Sequence, residues 1–514
     1  MKLNRTLAAL ALAGAGAVAA APLSASAAQK DVTVAVASTF TTLDPYNASD
    51  TLSQAVVKSF YEGLFGFDKN MKVVNVLAES WEASEDGLVY TIRLREGVKF
   101  QNGEPFNAAA VKKNYERVMD KRNGLKRYVL FSNIDHVDAV DERTVRFTLK
   151  KPFSAFINQL AHPSNGMICP AELDKWGAQI AFHPCGTGPF VMKDYNPAEI
   201  LKVERNPNYW RAGHPKVDAI TWKPVVENST RVAMLLTGEA QYAFPLPAEQ
   251  VRQIESRGTV RVDVTPSIIT RYVEMNMTKK VFQDPRVREA LNYAVNKKAL
   301  AKVAYAGYAD PATGVAPADV DYSVKLGPWP YDPKKARELL KEAGYPNGFT
   351  VKLWSGYNHT TAMKIIQFLQ QQLGQVGVKC EVRALEAGQR TALVEAVTPE
   401  KSEHELYYIG WSSSTGEMDY AIRPLLATSS FTPNDSNEAY YSNAEVDAKL
   451  MEALATTDRA KKAELYGDIQ RQIWKDAPWI FLVNEQNIAG AAKNLEGFFI
   501  QPDASFNFTE LELK

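Results

Sequence analysis

Histidine and cysteine are scarce in this sequence, which contains six histidines and three cysteines among 514 residues. So few side chains of these types leave little material for a metal centre or a general base. Two hydrolase signatures are also missing. Gly410 is followed by Trp-Ser-Ser-Ser, which is not the spacing of a nucleophile elbow, and His404-Glu405 lacks the second histidine of a zinc-protease helix. We therefore expect a protein that is not an enzyme and holds neither a metal nor a cofactor.

Neither sign of charge is in excess, since 59 lysines and arginines balance 59 aspartates and glutamates. Without a basic surplus, binding to nucleic acid or to anionic lipid is not indicated. Beyond the N-terminus the chain has no run of about 20 apolar residues, so no transmembrane helix is expected. The length favours about two to four domains, because a single core stops growing beyond about 300 residues.

The first 27 residues have the pattern of a secretory signal peptide. Lys2 and Arg5 precede an unbroken run of small apolar residues at 7–21, and Ala25-Ser26-Ala27 supplies a cleavage site. No cysteine follows that could carry a lipid anchor. We expect a protein that is soluble after removal of the signal peptide and is retained in a Gram-negative periplasm, with full secretion as the alternative.

Helical and strand patterns alternate in the second half of the chain, which favours an α/β fold. Asp-Pro pairs at 284–285 and 332–333 predict helix starts, because an acidic N-cap precedes a proline at the first helical position. Residues 361–374 predict another helix, and an alternating strand follows at 378–384. No low-complexity linker is visible, so the chain is expected to cross between domains through short, hinge-like segments.

Two of the three cysteines lie close together in the sequence. Cys169 and Cys185 fall within the same 24 residues as His162 and His183. Three interpretations remain open: a disulfide, which an oxidising compartment favours, two free thiols, or a metal site, although the spacing matches no compact metal motif. Cys380 lies on the inward face of a predicted strand and is interpreted as a small buried apolar residue.

Several segments resemble one family along the length of the mature chain. Residues 78–120 are similar to the signature of the large periplasmic peptide- and nickel-binding proteins that feed ABC importers. The remaining matching strings are HPCGTGPF around Gly186, RNPNYW from Arg205, FQDPRVREALNYAVNKKAL from Phe282 and YDPKKARELLKEAGYPNG from Tyr331.

This resemblance implies the α/β, two-lobed Venus-flytrap fold of type II periplasmic binding proteins, with an extra subdomain inserted in lobe I. On this sequence it predicts lobe I at 28–265 plus 483–514, the inserted subdomain at about 66–177, and lobe II at 266–482. A ligand would be enclosed between the lobes. The resemblance also implies that an ABC permease and its ATPase subunits at the inner membrane are the partners, and we expect a monomer.

Longer strings, among them TGEAQYAFPLP and WSGYNHTTAMK, are similar to the members of the family that bind glutathione. They imply that glutathione is the ligand. Other short peptides are the nearest alternative, and an exported γ-glutamyl peptide hydrolase is the alternative of a different class. Peptide-binding members carry an aspartate three residues after the Trp of a Gly-Trp pair, where it pairs with the ligand ammonium. Ser414 occupies that place here.

Glutathione offers a reason for hydroxyls at 412–415, because its ammonium and one carboxylate share a carbon. A carboxylate facing this zwitterion would attract one group and repel the other about equally at about 4 Å. The hydroxyls of Ser412, Ser413, Ser414 and Thr415 can donate to the carboxylate or accept from the ammonium. Glu417 or Asp419 would approach the ammonium from one side. The alternative is that the hydroxyls cap a helix that starts near Glu417.

Other candidates follow from local patterns. Residues 357–360 precede a predicted helix, so they form either an anion site at its N-terminus or a plain N-cap. Arg127 and Arg271 are candidates for binding carboxylates, because guanidinium forks fit them, with solvated surface positions as the alternative. Phe40 and Trp411 are expected to wall the cleft. The candidate ligand-binding residues are Phe40, Thr41, Arg127, Arg271, Tyr357, Asn358, His359, Thr360, Trp411, Ser412, Ser413, Ser414 and Asp419.

Overall fold

The computed structural model describes residues 30–514, so the expected signal peptide at 1–27 lies outside the described residues. The strands are β1 (Asp31–Val36), β2 (Phe65–Phe67), β3 (Val73–Asn75), β4 (Ala78–Ala83), β5 (Val89–Leu94), β6 (Ile134–Ala139), β7 (Thr144–Leu149), β8 (Phe190–Asn196), β9 (Ile200–Arg205), β10 (Ala219–Pro224), β11 (Tyr242–Phe244), β12 (Val260–Met275), β13 (Ala309–Pro311), β14 (Phe349–Ser355), β15 (Val378–Ala384), β16 (Leu406–Ser412), β17 (Trp479–Ala492), β18 (Leu495–Glu496), β19 (Phe499–Ile500), β20 (Phe506–Asn507) and β21 (Glu512–Leu513).

The helices alternate with these strands along the chain. They are α1 (Thr51–Val57), α2 (Ala108–Met119), α3 (Tyr128–Phe131), α4 (Phe156–Leu160), α5 (Pro170–Trp176), α6 (Asn228–Thr237), α7 (Val251–Ser256), α8 (Lys280–Gln283), α9 (Pro285–Ala294), α10 (Lys297–Tyr305), α11 (Pro333–Glu342), α12 (Thr360–Gly374), α13 (Ala387–Arg390), α14 (Met418–Leu426), α15 (Ala444–Ala455) and α16 (Arg459–Asp476). Within residues 30–514, none of the helices has both the length and the apolar character needed to cross a membrane.

One large sheet runs through the molecule in the order β15-β14-β16-β12-β17-β11-β1-β10-β9-β8, with β13 paired to β17. The long strands β12 and β17 are antiparallel neighbours in its middle. Residues 260–266 of β12 pair with 486–492 of β17, and the register then shifts between Pro266 and Thr270. This irregularity divides the sheet into two halves that β12 and β17 connect. The predicted start of lobe II, at residue 266, falls at this point.

A separate apolar core covers the half of the sheet that contains β14, β15 and β16. Leu291 of α9, Leu340 of α11 and Ile366 of α12 are buried there against Val351 and Leu406 of the strands. The parallel pairing of β14 with both β15 and β16 matches an α/β arrangement, in which helices cover parallel strands. Helices and sheet therefore form one packed unit in this part of the chain.

Local sequence determines where several of these helices begin. The side chain of Asp284 accepts a hydrogen bond from the backbone N–H of Arg286, and that of Asp332 accepts one from Lys335. Both predicted N-caps are thus confirmed. Each Asp-Pro pair starts its helix through local contacts alone, since the aspartate caps the first turn and the proline fits the first helical position. The predicted strand at 378–384 is β15, and the predicted helix at 361–374 starts one residue earlier than expected.

A second, four-stranded antiparallel sheet, β4-β5-β7-β6, lies inside the segment predicted to be the inserted subdomain. Helix α2 packs on it, and the rings of Tyr115 and Phe147 meet edge to face with centroids 4.8 Å apart. The helix begins after Asn107, whose side chain accepts from the N–H of Ala110. The sheet and its helix therefore have a packed interface of their own.

Cys169 and Cys185 form a disulfide in the structure, with their Cα atoms 5.5 Å apart. The bond links the N-cap of α5 to the turn that precedes Gly186. Cys380 is buried on β15, in agreement with its interpretation as a small apolar residue.

Candidate ligand-binding site

A cavity of 370 Å³ lies between two segments of the chain that are far apart in sequence. Its walls come from residues 126–159 on one side and from residues 411–436 on the other. Arg127, Trp411 and Asp419, three of the predicted ligand residues, line it. The volume suits a small organic molecule, because ligand pockets usually span roughly 300–1,000 Å³.

Arg127 supplies a positive charge to this cavity. Its Nε donates to the carbonyl of Ala48 at 2.9 Å, and an Nη donates to the carbonyl of Ser49 at 3.2 Å. Burial lowers the pKa of Arg127, while attraction by Tyr420 and Asp50 opposes that shift. Because the hydrogen-bond partners of Arg127 are neutral carbonyls, its charge remains available to a ligand carboxylate.

Asp419 is held by a neighbouring cation. The Nε of Arg423 lies 2.8 Å from one carboxylate oxygen of Asp419, and an Nη of Arg423 lies 2.8 Å from the other. Attraction by Asp419 raises the pKa of Arg423 above its ordinary value. The charge of Asp419 is thus balanced inside the protein, and a ligand ammonium would have to compete with Arg423 for it.

Glu417 has a structural role at the start of α14. Its carboxylate accepts the backbone N–H of Asp419 at 3.0 Å and lies 2.8 Å from the Nζ of Lys462. Burial raises the pKa of Glu417, although Lys462 opposes this. The alternative that the hydroxyls at 412–415 cap this helix is wrong, because Glu417 itself is the N-cap.

Asp435 lines the same cavity, and no sequence pattern pointed to it. Its Oδ1 accepts a hydrogen bond from the Ser436 hydroxyl at 3.3 Å. Among the described residues, no lysine or arginine forms a salt bridge with it. Burial raises the pKa of the Asp435 carboxyl to about 6, although nearby Arg423 opposes the shift. An ammonium that enters the cavity would therefore meet a carboxylate without an ion-pair partner.

The hydroxyls at 412–415 do not point to one common place. Ser412 is half-buried at the end of β16, and Ser413 is buried with no hydrogen-bond partner for its hydroxyl among residues 30–514. The Ser414 hydroxyl lies 3.1 Å from Nε2 of His162, and Thr415 lines the cavity. The four hydroxyls that were predicted to serve the ligand together therefore lie in different environments.

His162 connects the Ser414 loop to the segment that follows α4. Its Nδ1 accepts the backbone N–H of Ser164 at 3.1 Å, so the ring proton is on Nε2 and donates to the Ser414 oxygen. Burial holds the pKa of His162 well below its ordinary value, and the charges of Arg127 and Lys58 act in the same direction. The imidazole is therefore neutral and acts as a hydrogen-bond donor between the two walls.

Arg271 does not line the 370 Å³ cavity and belongs to a separate group of residues. Its Nε donates to a carboxylate oxygen of Glu485 at 2.8 Å, and its guanidinium lies 4.9 Å from the ring centroid of Tyr357. Although burial alone would lower the pKa of Arg271, Glu485 keeps it well above its ordinary value. A Cβ at Gly410 would overlap the guanidinium, so glycine lets Arg271 lie across β16. The carboxylate of Glu485 therefore already balances the positive charge of Arg271.

The segment before α12 contains an ordinary helix cap. Nδ1 of His359 accepts the backbone N–H of Ala362 at 3.3 Å, which makes His359 the N-cap. Burial lowers the pKa of His359, and the nearby Arg271 does so as well. Of the two interpretations, an anion site or a plain N-cap, the N-cap describes His359. Its neighbours Asn358 and Thr360 are exposed.

Phe40 and Thr41 lie in the loop that follows β1. Phe40 is 5% exposed and belongs to the apolar core. The Thr41 hydroxyl donates to Asp50, and its backbone N–H donates to the Ser53 hydroxyl at 2.9 Å. Trp411, the other expected wall, is half-buried and its Nε1 donates to the carbonyl of residue 420 at 2.7 Å. Trp411 lines the cavity, whereas Phe40 packs in the core.

A two-part sheet whose halves are joined by two long strands, with a polar cavity between distant segments, defines a class of solute-binding proteins. The chain belongs to the bacterial extracellular solute-binding proteins, family 5. Residues 72–433 match the model of the middle part of this family. The expected two-lobed α/β fold of type II periplasmic binding proteins is confirmed by solved structures of this family.

Relatives with high identity cover nearly the whole chain. The sequence is 57% identical over 484 residues to the glutathione-binding protein GsiB of Pectobacterium atrosepticum, which covers 94% of each chain. It is 56% identical over 485 residues to GsiB of Escherichia coli strain K12, with 94% of this chain and 95% of that one covered. The solved periplasmic binding protein DppA of Helicobacter pylori, in complex with the peptide STSA, has 27% identity and a TM-score of 0.80 over 94% of this chain and 98% of that chain. These relatives are named as binding proteins and not as enzymes.

Proposed function

We propose that this chain is the substrate-binding component of an ABC importer and that it captures glutathione between its two lobes. The observation that carries the proposal is the cavity that both Arg127 and Asp435 line, since these opposite charges have no salt-bridge partner among the described residues. A glutamate-like zwitterion has one group for each. The GsiB relatives, 56–57% identical over 94% of the chain, are named for this ligand.

Binding is coupled to closure of the lobes, which we place at 28–265 plus 483–514 and at 266–482, with the inserted subdomain at about 66–177. The two walls of the cavity then belong to different lobes. A direct contact joins the same two segments, since the Asn158 side chain donates to the Thr415 carbonyl at 3.1 Å. A second contact joins the first segment to α15, where Ser154 N–H donates to the Leu454 carbonyl at 2.9 Å. A ligand that contacts both walls favours the closed form, because it binds the open form less well.

The closed, ligand-bound form is the species that a membrane permease and its ATPase subunits would receive. Residues 1–27 direct export, and the mature monomer acts in the periplasm. No bond is made or broken in this cycle. The cleft concentrates the ligand and releases it unchanged, and the low local dielectric of the closed cavity strengthens its polar contacts.

Calorimetric titration of the mature chain with glutathione tests the proposal. Replacing Arg127 with glutamine should weaken binding by about tenfold or more, because a hydrogen bond to a charged group contributes roughly 1.5–3 kcal/mol. The matched control is Arg122→Gln, since the Arg122 side chain is 90% exposed and pairs with the neighbouring Asp120. Equal loss of affinity in both variants would contradict the role of Arg127.

Thermal-shift measurements compare glutathione with α-linked dipeptides such as Ala-Ala. We expect glutathione to raise the melting temperature of the protein and Ala-Ala to leave it unchanged. Stabilisation by the dipeptides alone would replace glutathione with short peptides as the ligand. Mass spectrometry of the ligand after long incubation should find intact glutathione, and a cleaved γ-glutamyl bond would identify a hydrolase instead.

A further inference from the structure

The cavity of 370 Å³ contains more positive charge than the γ-glutamyl end of glutathione can use. Its charged lining residues are Lys126, Arg127, Asp419, Arg423 and Asp435. The ion pair between Asp419 and Arg423 is internal to the protein and removes one charge of each sign. Among residues 30–514, the other three charged side chains have no salt-bridge partner. Two cations and one carboxylate therefore remain for a ligand.

Lys126 is the cation of this cavity that has no assigned role. It is exposed, and it precedes Arg127 on the wall formed by residues 126–159. Its Nζ lies 3.4 Å from the hydroxyl oxygen of Ser49, a long and weak hydrogen bond. Since an ammonium carries three N–H donors, two of those on Lys126 have no acceptor within the described chain.

Glutathione carries charges in the complementary ratio. Near neutral pH it has two carboxylates and one ammonium, because carboxyl groups ionise at a much lower pH and an α-amino group is still largely protonated. The γ-glutamyl end supplies the ammonium and one carboxylate, for which Asp435 and Arg127 are the proposed partners. The second carboxylate, at the glycine end, still needs a cation, because an anion that enters a cavity unpaired loses solvation without compensation.

Arg423 is less suited than Lys126 to this second carboxylate. Its Nε and one Nη each lie 2.8 Å from an oxygen of Asp419, so a ligand anion beside Arg423 would also face the charge of that aspartate. Lys126 has no carboxylate within salt-bridge distance among the residues that the structure describes, and no such repulsion arises there. The second carboxylate is therefore matched best by Lys126.

We propose that Lys126 is a specificity-determining residue that pairs with the glycine carboxylate of the ligand. This inference rests on the proposed function and adds that the cavity selects ligands with two carboxylates over ligands with one. Lys126 and Arg127 belong to one wall and Asp435 to the other. The γ-glutamyl end thus bridges the two walls, whereas the glycine end contacts only the wall of Lys126.

The probe that tests this role is γ-glutamylcysteinylglycinamide, in which an amide replaces the glycine carboxylate and the rest of glutathione is unchanged. Calorimetry on the mature chain should show the amide binding about two- to fivefold more weakly than glutathione, as expected for an exposed ion pair. Lys126→Gln should weaken binding of glutathione by a similar factor and leave binding of the amide unchanged. The preference for glutathione should shrink in about 1 M salt, because salt screens exposed charges.

Lys121→Gln is the matched control, because Lys121 is an exposed lysine of the same segment that does not line the cavity. It should bind glutathione and the amide as the unchanged protein does. Both substituted lysines are exposed, so we expect both variants to keep the melting temperature of the unchanged protein.

Three results would overturn the role of Lys126: equal affinity of the unchanged protein for glutathione and the amide, an equal loss for both ligands in the Lys126→Gln protein, or the same loss in the Lys121→Gln control. In each of these results glutathione still binds, so the proposed function stands. If the unchanged protein binds no glutathione at all, the proposed function fails and this inference fails with it.

Discussion

Lowering the pH should weaken glutathione binding through Asp435. Burial sets the pKa of this carboxyl at about 6 in the ligand-free protein. About 0.9 of the molecules then carry an ionised Asp435 at about pH 7 and about 0.1 at about pH 5. If the ligand ammonium pairs with the ionised form alone, the dissociation constant rises about tenfold over this range, which is about 1.4 kcal/mol.

The ligand-free protein should respond with the opposite sign. The ordinary pKa of an aspartate, 3.8, applies to the unfolded chain, and the folded value is about 6. The ionised carboxyl therefore destabilises the fold above about pH 6, and this penalty is relieved as the pH falls toward about 4. Burial lowers the pKa of both His162 and His359, so each histidine becomes charged only at a pH below the ordinary pKa of histidine.

The assay is calorimetric titration with glutathione at several pH values between about 5 and about 7.5, at constant ionic strength. The Asp435→Asn protein is the control, and its affinity should be lower at neutral pH and nearly constant across the range. If the dissociation constant of the unchanged protein stays the same at all pH values, Asp435 does not pair with the ligand ammonium. A slope that persists in the Asn variant would assign the titration to another group.

Three further changes have expected outcomes. Gly410→Ala should destabilise the fold, because a methyl group would displace the Arg271 guanidinium, and chemical denaturation measures this effect. Burial raises the pKa of Glu274 well above its ordinary value and that of Glu438 to about 8. The unfolded chain ionises these carboxyls at a lower pH, so the protein should lose stability as the pH rises from about 5 to about 8, and Glu274→Gln should lose less in melting-temperature measurements over this range. Cys169→Ser removes the disulfide, which closes a loop of 16 residues, and should lower the free energy of unfolding by roughly 3 kcal/mol in denaturant titrations, whereas an unchanged midpoint would contradict this.

Features set by neighbouring residues were predictable from the sequence. The helix starts after Asp284 and Asp332 and the alternating strand β15 follow from a few adjacent side chains, since capping and periodicity are local. The disulfide between Cys169 and Cys185 was one of three alternatives, because sequence spacing does not show whether the two Cα atoms come close enough to be bridged.

The candidate site was only partly predictable because its contacts join distant parts of the chain. His162 and Ser414 are 252 positions apart, and Arg271 and Glu485 are 214 apart. Their pairing follows from the fold and from no local pattern. Asp435 lies in a polar loop whose sequence is that of an ordinary turn, so nothing in the sequence distinguishes it from an exposed aspartate, and only the fold half-buries it against the cavity.

The most direct measurement is a crystal structure of the mature chain grown with glutathione. We expect the γ-glutamyl end in the 370 Å³ cavity, with its ammonium about 3 Å from the Asp435 carboxylate and its carboxylate at a similar distance from the Arg127 guanidinium. Glutathione seated elsewhere between the lobes, with water around Arg127 and Asp435, would contradict it.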